Sequence, residues 1–318
     1  MPLKLIFISL CLITTMIQAS TTNKKLIYMT SDINIPFWQI MSKGINSTSN
    51  SLGYDFEIYS ADNSAKQELA NTIKAIRNKV AGIIVSPTNS SACVTILKLA
   101  KKANIPVVIA DIGTDSGEYV SYVSSNNKNG AYNIGKLLAK QMKALSYDKG
   151  TVGIIAIPQK RLNGQERTAG FMKALDEEKI KSADIKQLSK WTQEETYNYV
   201  KDMIEKYPNL KAIWLQTSNF YKAAINAIND SGKSNEVLLI SFDAEPVFLD
   251  LIPKGDIIGA AMQQPYLMGQ EAVIALDKHL KNEKVAKHIQ LPILSISKEN
   301  IEAELSTIKR NVLGIENK

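Results

Sequence analysis

The chain has 318 residues, 45% of them apolar and 22% charged, with a net charge of +7. This composition excludes a disordered or fibrous chain, and the length allows a large core or about two domains. The basic residues are scattered rather than massed beside aromatics, which argues against a nucleic-acid-binding face.

Residues 1–19 stand apart. Lys4 is followed by the apolar run LIFISLCLITTMI, shorter than the about 20 residues a membrane-spanning helix needs. Ala19 ends the segment with a small side chain. It reads as a secretory signal peptide cut after Ala19, which predicts a periplasmic protein. A lipid-modified Cys11 is rejected, because bulky Leu10 precedes it and the apolar run continues beyond it. Cleavage leaves Cys93 alone, so an internal disulfide is impossible, and Cys93 reads as a small buried apolar residue.

Beyond residue 24, short runs rich in Val and Ile alternate with helical patterns. Strands are predicted at 25–30 (KLIYMT), 55–61, 81–87, 105–111 and 119–125. A second set follows at 151–157, 185–191 (IKQLSKW), 211–217, 236–243 and 257–263. Helices are predicted between them, at 37–53, 64–79, 90–104, 129–145, 163–178, 194–208, 220–232 and 266–280. The second carries Leu69, Ile73 and Ile76 at helical spacing. Strict alternation of strand and helix predicts an α/β fold of two doubly wound parallel-sheet lobes. No long Pro/Gly/Ser linker divides them, so the chain should cross between lobes through short strands.

In open parallel sheets ligands bind beyond the carboxyl ends of the strands. The residues just past each apolar run are therefore the informative ones: Ser31, Phe37 and Trp38; Asp111; Gln216, Thr217 and Ser218; Phe242 and Asp243; Gln263 and Gln264. Arg167 stands in the helix opening after the sixth strand. Flat aromatic faces stack on the C–H faces of a sugar ring, and carboxylates with a guanidinium pair with vicinal hydroxyls. Trp191 and Trp214 read as structural, His279 and His288 as surface residues. Tyr221 either roofs the cleft or covers the following helix.

Seven segments in this order carry a resemblance: IPFW, AGIIVSPTNSSA, ANIPVVIAD, VSSNNKNGAYNIGKLLA, NGQERTAGFMKAL, LLISFDAEP and GAAMQQPYLMG. Over roughly residues 24 to 297 the chain resembles the periplasmic ribose-binding-type (type I) solute-binding proteins. It is also similar to the ligand-binding cores of LacI-type repressors. The resemblance implies a first lobe of residues 24–125 plus 264–291 and a second of 126–263 plus 292–318, joined by a multi-strand hinge. It implies ring stacking by Phe37 and Trp38, hydroxyl binding by Asp111, Arg167, Asp243 and Gln263, an apolar wall at Phe242, and a polar contact at Ser31. Thr217 falls in the third cleft segment. The implied activity is capture of a small sugar-like ligand and delivery to an ABC permease. The alternative is a sensor that presents its bound state to a membrane histidine kinase or chemoreceptor. A monomer is expected, with no cofactor, metal or nucleic acid.

The chain departs from the ribose-binding pattern at three places. Ile35 replaces an Asn, Ile112 an Arg, and Thr217 with Ser218 an Asn-Asp pair. The pocket should favour a ligand less hydroxylated than ribose, or otherwise shaped. Enzyme motifs are lacking: no nucleophile elbow, phosphate-cradling Gly-rich loop, CxxC or HExxH occurs. A signal peptide occupies the place where a repressor would carry its helix-turn-helix. The tail, residues 297–318, has helical spacing at Ile301, Leu305 and Ile308 and is expected to pack back on a lobe.

Overall fold

The computed structural model describes residues 24–147 and 149–315. The expected signal peptide and Cys11 lie outside them.

Two six-stranded sheets form the molecule. The first contains β1 (Lys25–Thr30), β2 (Asp55–Ser60), β3 (Gly82–Ser86), β4 (Val107–Ala110), β5 (Ser121–Ser125) and β11 (His288–Leu291). Its order is β11-β5-β4-β3-β1-β2, all parallel. The second contains β6 (Thr151–Ala156), β7 (Lys181–Gln187), β8 (Leu210–Leu215), β9 (Leu238–Phe242), β10 (Gly259–Met262) and β12 (Leu294–Ser297). Its order is β12-β10-β9-β8-β6-β7, parallel except for antiparallel β12. In each lobe the order reverses beside the first strand, which opens a crevice at the strands' carboxyl ends.

Inner strands such as β3 and β4 are buried at every residue because helices cover both faces. Edge strands behave differently. The strand expected at 185–191 is β7, ending four residues earlier, and its Ile185 is exposed. Apolar Leu188 and Trp191 drew the expectation forward, but both lie in the loop after the strand. β11 and β12, four residues each, gave too short a pattern to be read.

The chain crosses between sheets after β5, after β10 and between β11 and β12. After the first crossing, α4 (Asn127–Ala144) packs on α5 (Leu162–Glu177). After the second, α9 (Pro265–Leu280) packs on α1 (Pro36–Ser51). Backbones touch there: a Cβ at Gly44 would strike the Tyr266 carbonyl, and one at Gly269 the Met41 carbonyl.

The helix α2 (Ala65–Arg77) is rotated from its apolar pattern. It buries Glu68, Asn71, Thr72 and Ala75 and leaves Leu69 and Ile73 about 40% exposed. The polar residues turn inward because they serve buried loops. Asn71 Nδ2 donates to the Ser60 carbonyl, and Glu68 receives both the backbone N–H and the hydroxyl of Thr88.

The tail forms one short α turn (Leu305–Thr307) that runs into a π-helical turn (Ile308–Val312), less helix than its spacing predicts. Ile301, Ile308, Val312 and Leu313 join the core of the second sheet. Asn311 Nδ2 donates to Gln264 Oε1, 2.8 Å away at the second crossing.

Candidate functional site

The carboxyl ends of the two sheets face each other across a narrow cleft. One wall carries Ile35, Phe37, Trp38 and Asp111. The helix α1 starts without a side-chain cap, on Pro36, whose missing N–H costs nothing in the first turn. That start projects two aromatics at once. Phe37 and Trp38 sit edge to face, centroids 4.9 Å apart at 89°. Trp38 is 4% exposed and also packs in the first-lobe core, whereas Phe37 is half-buried.

The other wall is charged. Arg167, on α5, is 3% exposed. Its Nε donates to Asn127 Oδ1 at 2.9 Å and its Nη1 to the Gln216 carbonyl at 2.8 Å. Nη1 also lies 3.5 Å from Asp243 Oδ2, and the guanidinium carbon sits 3.9 Å from the Phe242 ring centroid. Gln263 Nε2 donates to Asp243 Oδ1. A buried guanidinium is tolerable only when paired in this way.

Asp111 and Asp243 each follow a buried strand, with φ of 63° and 65°. This left-handed turn costs about 1–3 kcal/mol in general, least for Asn and Asp, which bond locally. It swings each carboxylate out of the strand's alternation into the cleft. Burial pushes the Asp111 carboxyl up to about 6, opposed by Arg167 and Arg161. Burial also raises Asp243, with Arg167 and Gln263 opposing. Asp111 Oδ2 accepts from Asn163 Nδ2 at 3.1 Å, while Oδ1 is buried with no protein partner. Gln263 Oε1 and Asn163 Oδ1 are likewise buried and unpartnered. These acceptors suit hydroxyl donors.

Of the nine residues expected at the site, seven line the cleft: Phe37, Trp38, Asp111, Arg167, Thr217, Asp243 and Gln263. Ser31 and Phe242 do not. Both are 0% exposed, below the wall rather than on it. Phe242 still obeys the alternation of β9, so it points into the second-lobe core and supports Arg167 from beneath. Ser218 donates to Glu245 Oε1, and Tyr221 packs edge-on against Phe248 in the second-lobe core. Ile35 lines the cleft, but Ile112 is 0% exposed within the first-lobe core, so only one of the two isoleucine departures changes the wall.

Sequence reasoning missed Ile157, Arg161, Asn163 and Asn219, and it assigned Trp191 a structural role. Trp191 does pack on Phe220, but it also lines the cleft. Glu195 holds its loop by accepting the backbone N–H groups of Ser189, Lys190 and Trp191. The rule that found Asp111, reading just past the strand end, would have reached Arg161 and Asn163 after β6. Among the described residues three bonds cross the cleft: Arg161 Nε to the Thr88 carbonyl, the Leu162 N–H to Ser90 Oγ, and Asn163 Nδ2 to Asp111.

Other chemistry is sparse. Cys93 is fully buried, its thiol pushed up to about 12 by burial. His279 and His288 are exposed. Among the described residues no cluster of His, Cys, Asp and Glu could hold a metal ion, and no helix is long and apolar enough to cross a membrane.

Two α/β lobes with a polar, aromatic-walled cleft between them define a solute-binding protein of the type I fold. A family model described as a periplasmic binding protein domain matches residues 26–284, and the chain belongs to that family. It is 28% identical to the ribose import binding protein of Escherichia coli over 80% of this chain and 84% of that one. It is 26% identical to a D-apiose import binding protein of Actinobacillus succinogenes, over 79% and 80% of the two chains. A carbohydrate-transporter solute-binding protein of Agrobacterium radiobacter, solved with D-arabinose, superposes with a TM-score of 0.84. That match has 22% identity and covers 92% of this chain and all of the other. The chain is a binding protein and not an enzyme.

Proposed function

We propose that this protein captures one small neutral sugar between its lobes and delivers it to an ABC importer in the membrane, after export to the periplasm and removal of residues 1–19. Residues 24–125 with 264–291 would move as one body, and 126–263 with 292–318 as the other. The observation that carries the reading is the cleft's bonding pattern. Buried acceptors on Asp111, Asn163 and Gln263 lack protein partners and lie beside the aromatic faces of Phe37, Trp38 and Trp191. A polyol supplies hydroxyl donors for the first and C–H faces for the second. Two aspartates balance two arginines on the walls, which favours an uncharged ligand. A ligand that touches both walls stabilises the closed state over the open one, so binding and closure are coupled. The names of the relatives are those of import proteins, which supports import over sensing.

The test is mass spectrometry of the ligand retained by gently purified protein, followed by calorimetric titration with neutral pentoses and hexoses, uronates and amino acids. Micromolar or tighter binding of a neutral sugar, with none of the amino acids, is expected. Selective binding of an amino acid would overturn the reading. N-terminal sequencing of a periplasmic extract should find a chain beginning near Ser20.

A further inference from the structure

Arg161 lies five residues past the end of β6 and is the cleft arginine that bonds to the opposite lobe. It precedes α5 on the second lobe. Its Nε reaches 3.2 Å across to the carbonyl oxygen of Thr88 on the first lobe. Thr88 is itself fixed, because the Glu68 carboxylate accepts its N–H at 2.8 Å and its hydroxyl at 3.0 Å. The Arg161 guanidinium carbon lies 5.8 Å from the Trp191 ring centroid, so one side of the fork is covered by an aromatic face. Arg167 is bonded to Asn127, Gln216 and Asp243, but Arg161 differs. Among the described residues no carboxylate lies within 4.0 Å of it, and its one protein acceptor is the Thr88 carbonyl. Its terminal N–H groups are therefore uncommitted donors on the wall that also carries Trp191 and Asn219.

We propose that Arg161 is a specificity-determining residue, fixed by Thr88 when the lobes close, whose terminal N–H groups select a neutral sugar presenting an acceptor oxygen beside Trp191. This rests on the sugar-binding reading above. The Nε bond spans the lobes, so the fork is oriented only in the closed protein. A guanidinium directed in this way donates in a plane, and two oxygens on adjacent ring carbons match it. A sugar lacking the oxygen leaves desolvated donors unpaired, which is the stronger form of discrimination. Ile35 and Ile157 offer no compensating polar atom on the walls.

The experiment is a cycle between residue and ligand. The parent protein, R161Q and R161K are titrated with the sugar the parent binds best and with each of its monodeoxy analogues. In the parent, one analogue should bind at least about tenfold more weakly than the full sugar. In R161Q that ratio should fall toward one, because the group that reads the oxygen is gone. R161K keeps the charge without the planar fork and should restore little of the ratio. Thermal melts of the three ligand-free proteins identify any variant that fails to fold. If R161Q weakens the sugar and all its analogues by one common factor, or leaves every affinity unchanged, the inference is overturned and the sugar reading stands. If the parent binds no neutral sugar at all, both are overturned.

Discussion

Asp111 and Asp243 occupy equivalent places in the two lobes. Each follows the fourth strand of its sheet in chain order, in a left-handed conformation. Each donates its backbone N–H at 2.9 Å to a carbonyl in the next strand, Val123 for one and Ala261 for the other. The cleft is thus gripped by one carboxylate from each side. Among the described residues only Asp243 has a guanidinium within 4.0 Å, that of Arg167 at 3.5 Å.

Replacing Asp243 by Asn keeps a residue that tolerates the left-handed turn but removes the charge. Ligand affinity should fall by roughly 2–3 kcal/mol, since Arg167 loses its anionic neighbour within a buried network. Melting of the ligand-free protein should fall by less than the affinity does, because losing the desolvated carboxylate offsets part of the cost of leaving Arg167 without its anion. Calorimetry and a thermal melt of the same sample check both halves.

Asp111 sets a pH dependence. Its carboxyl is pushed up to about 6 in the ligand-free protein by burial, with Asp243 and Glu166 adding to the rise and Arg167 and Arg161 opposing it. Hydroxyls donated by a ligand favour the ionised form and lower that value in the complex. Affinity is therefore complete above about pH 6 and falls as pH drops through it. Titrations in buffers of different ionisation enthalpy should detect proton release on binding near pH 6, and Asp111→Asn should remove it.

Glu68 carries a pH effect on folding instead. Burial raises its carboxyl to about 7 in the folded chain, against 4.5 for the ordinary group, with the Thr88 bonds and Arg161 pulling the other way. The unfolded chain ionises first as pH rises, so stability is greatest below about 4.5 and declines until about 7. Glu68→Gln retains an acceptor for the Thr88 N–H. It should flatten that decline and melt at or above the parent temperature at pH 8.

Phe37 and Trp38 are separable by experiment. Phe37→Ala removes a half-buried wall residue and should weaken binding by about 1 kcal/mol or more with a small effect on ligand-free melting. Trp38→Ala also opens the first-lobe core, so the ligand-free protein should lose roughly 3–5 kcal/mol of stability. Denaturant titration of the two variants distinguishes wall from core.

Ile35 places an apolar surface where the ribose-binding pattern has an amide. A sugar hydroxyl facing it loses water without gaining a partner, at about 1–3 kcal/mol. Ribose should bind at least about tenfold more weakly than the best sugar of a broad panel. Ile35→Asn should narrow that gap, as competition titrations would show.

The fold was legible because βαβ chains bury their inner strands on both faces, which writes continuous apolar runs into the sequence. Asp111 and Asp243 were legible as the first polar residues after such runs. Ser31 and Phe242 misled because adjacency to a strand end does not say which way a side chain turns. Phe242 follows its strand's alternation inward, and Asp243 escapes it through a positive φ. Trp191 and Asn219 stand in loops without periodicity, where only the folded arrangement brings them to the cleft, whereas Arg161 and Asn163 open α5 a few residues past β6 and were passed over in favour of Arg167. The inward turn of Glu68 and Asn71 on α2 was hidden too, since their partners lie in distant loops.

The second crossing has a consequence for how the chain assembles. Met268, Ala272, Val273 and Leu276 of α9 share one core with Leu26, Met41, Ile45 and Val108, more than a hundred residues earlier. β11 completes the same sheet later still. During synthesis the amino-terminal lobe emerges first yet lacks part of its own interior until residue 291 is available. The strands β6 to β10 and the helices between them form an uninterrupted stretch that can condense earlier. The lobe that begins the polypeptide thus waits for β11, made more than 160 residues after β5, and a chain stopped after β10 would leave that apolar interior open to water and to other chains.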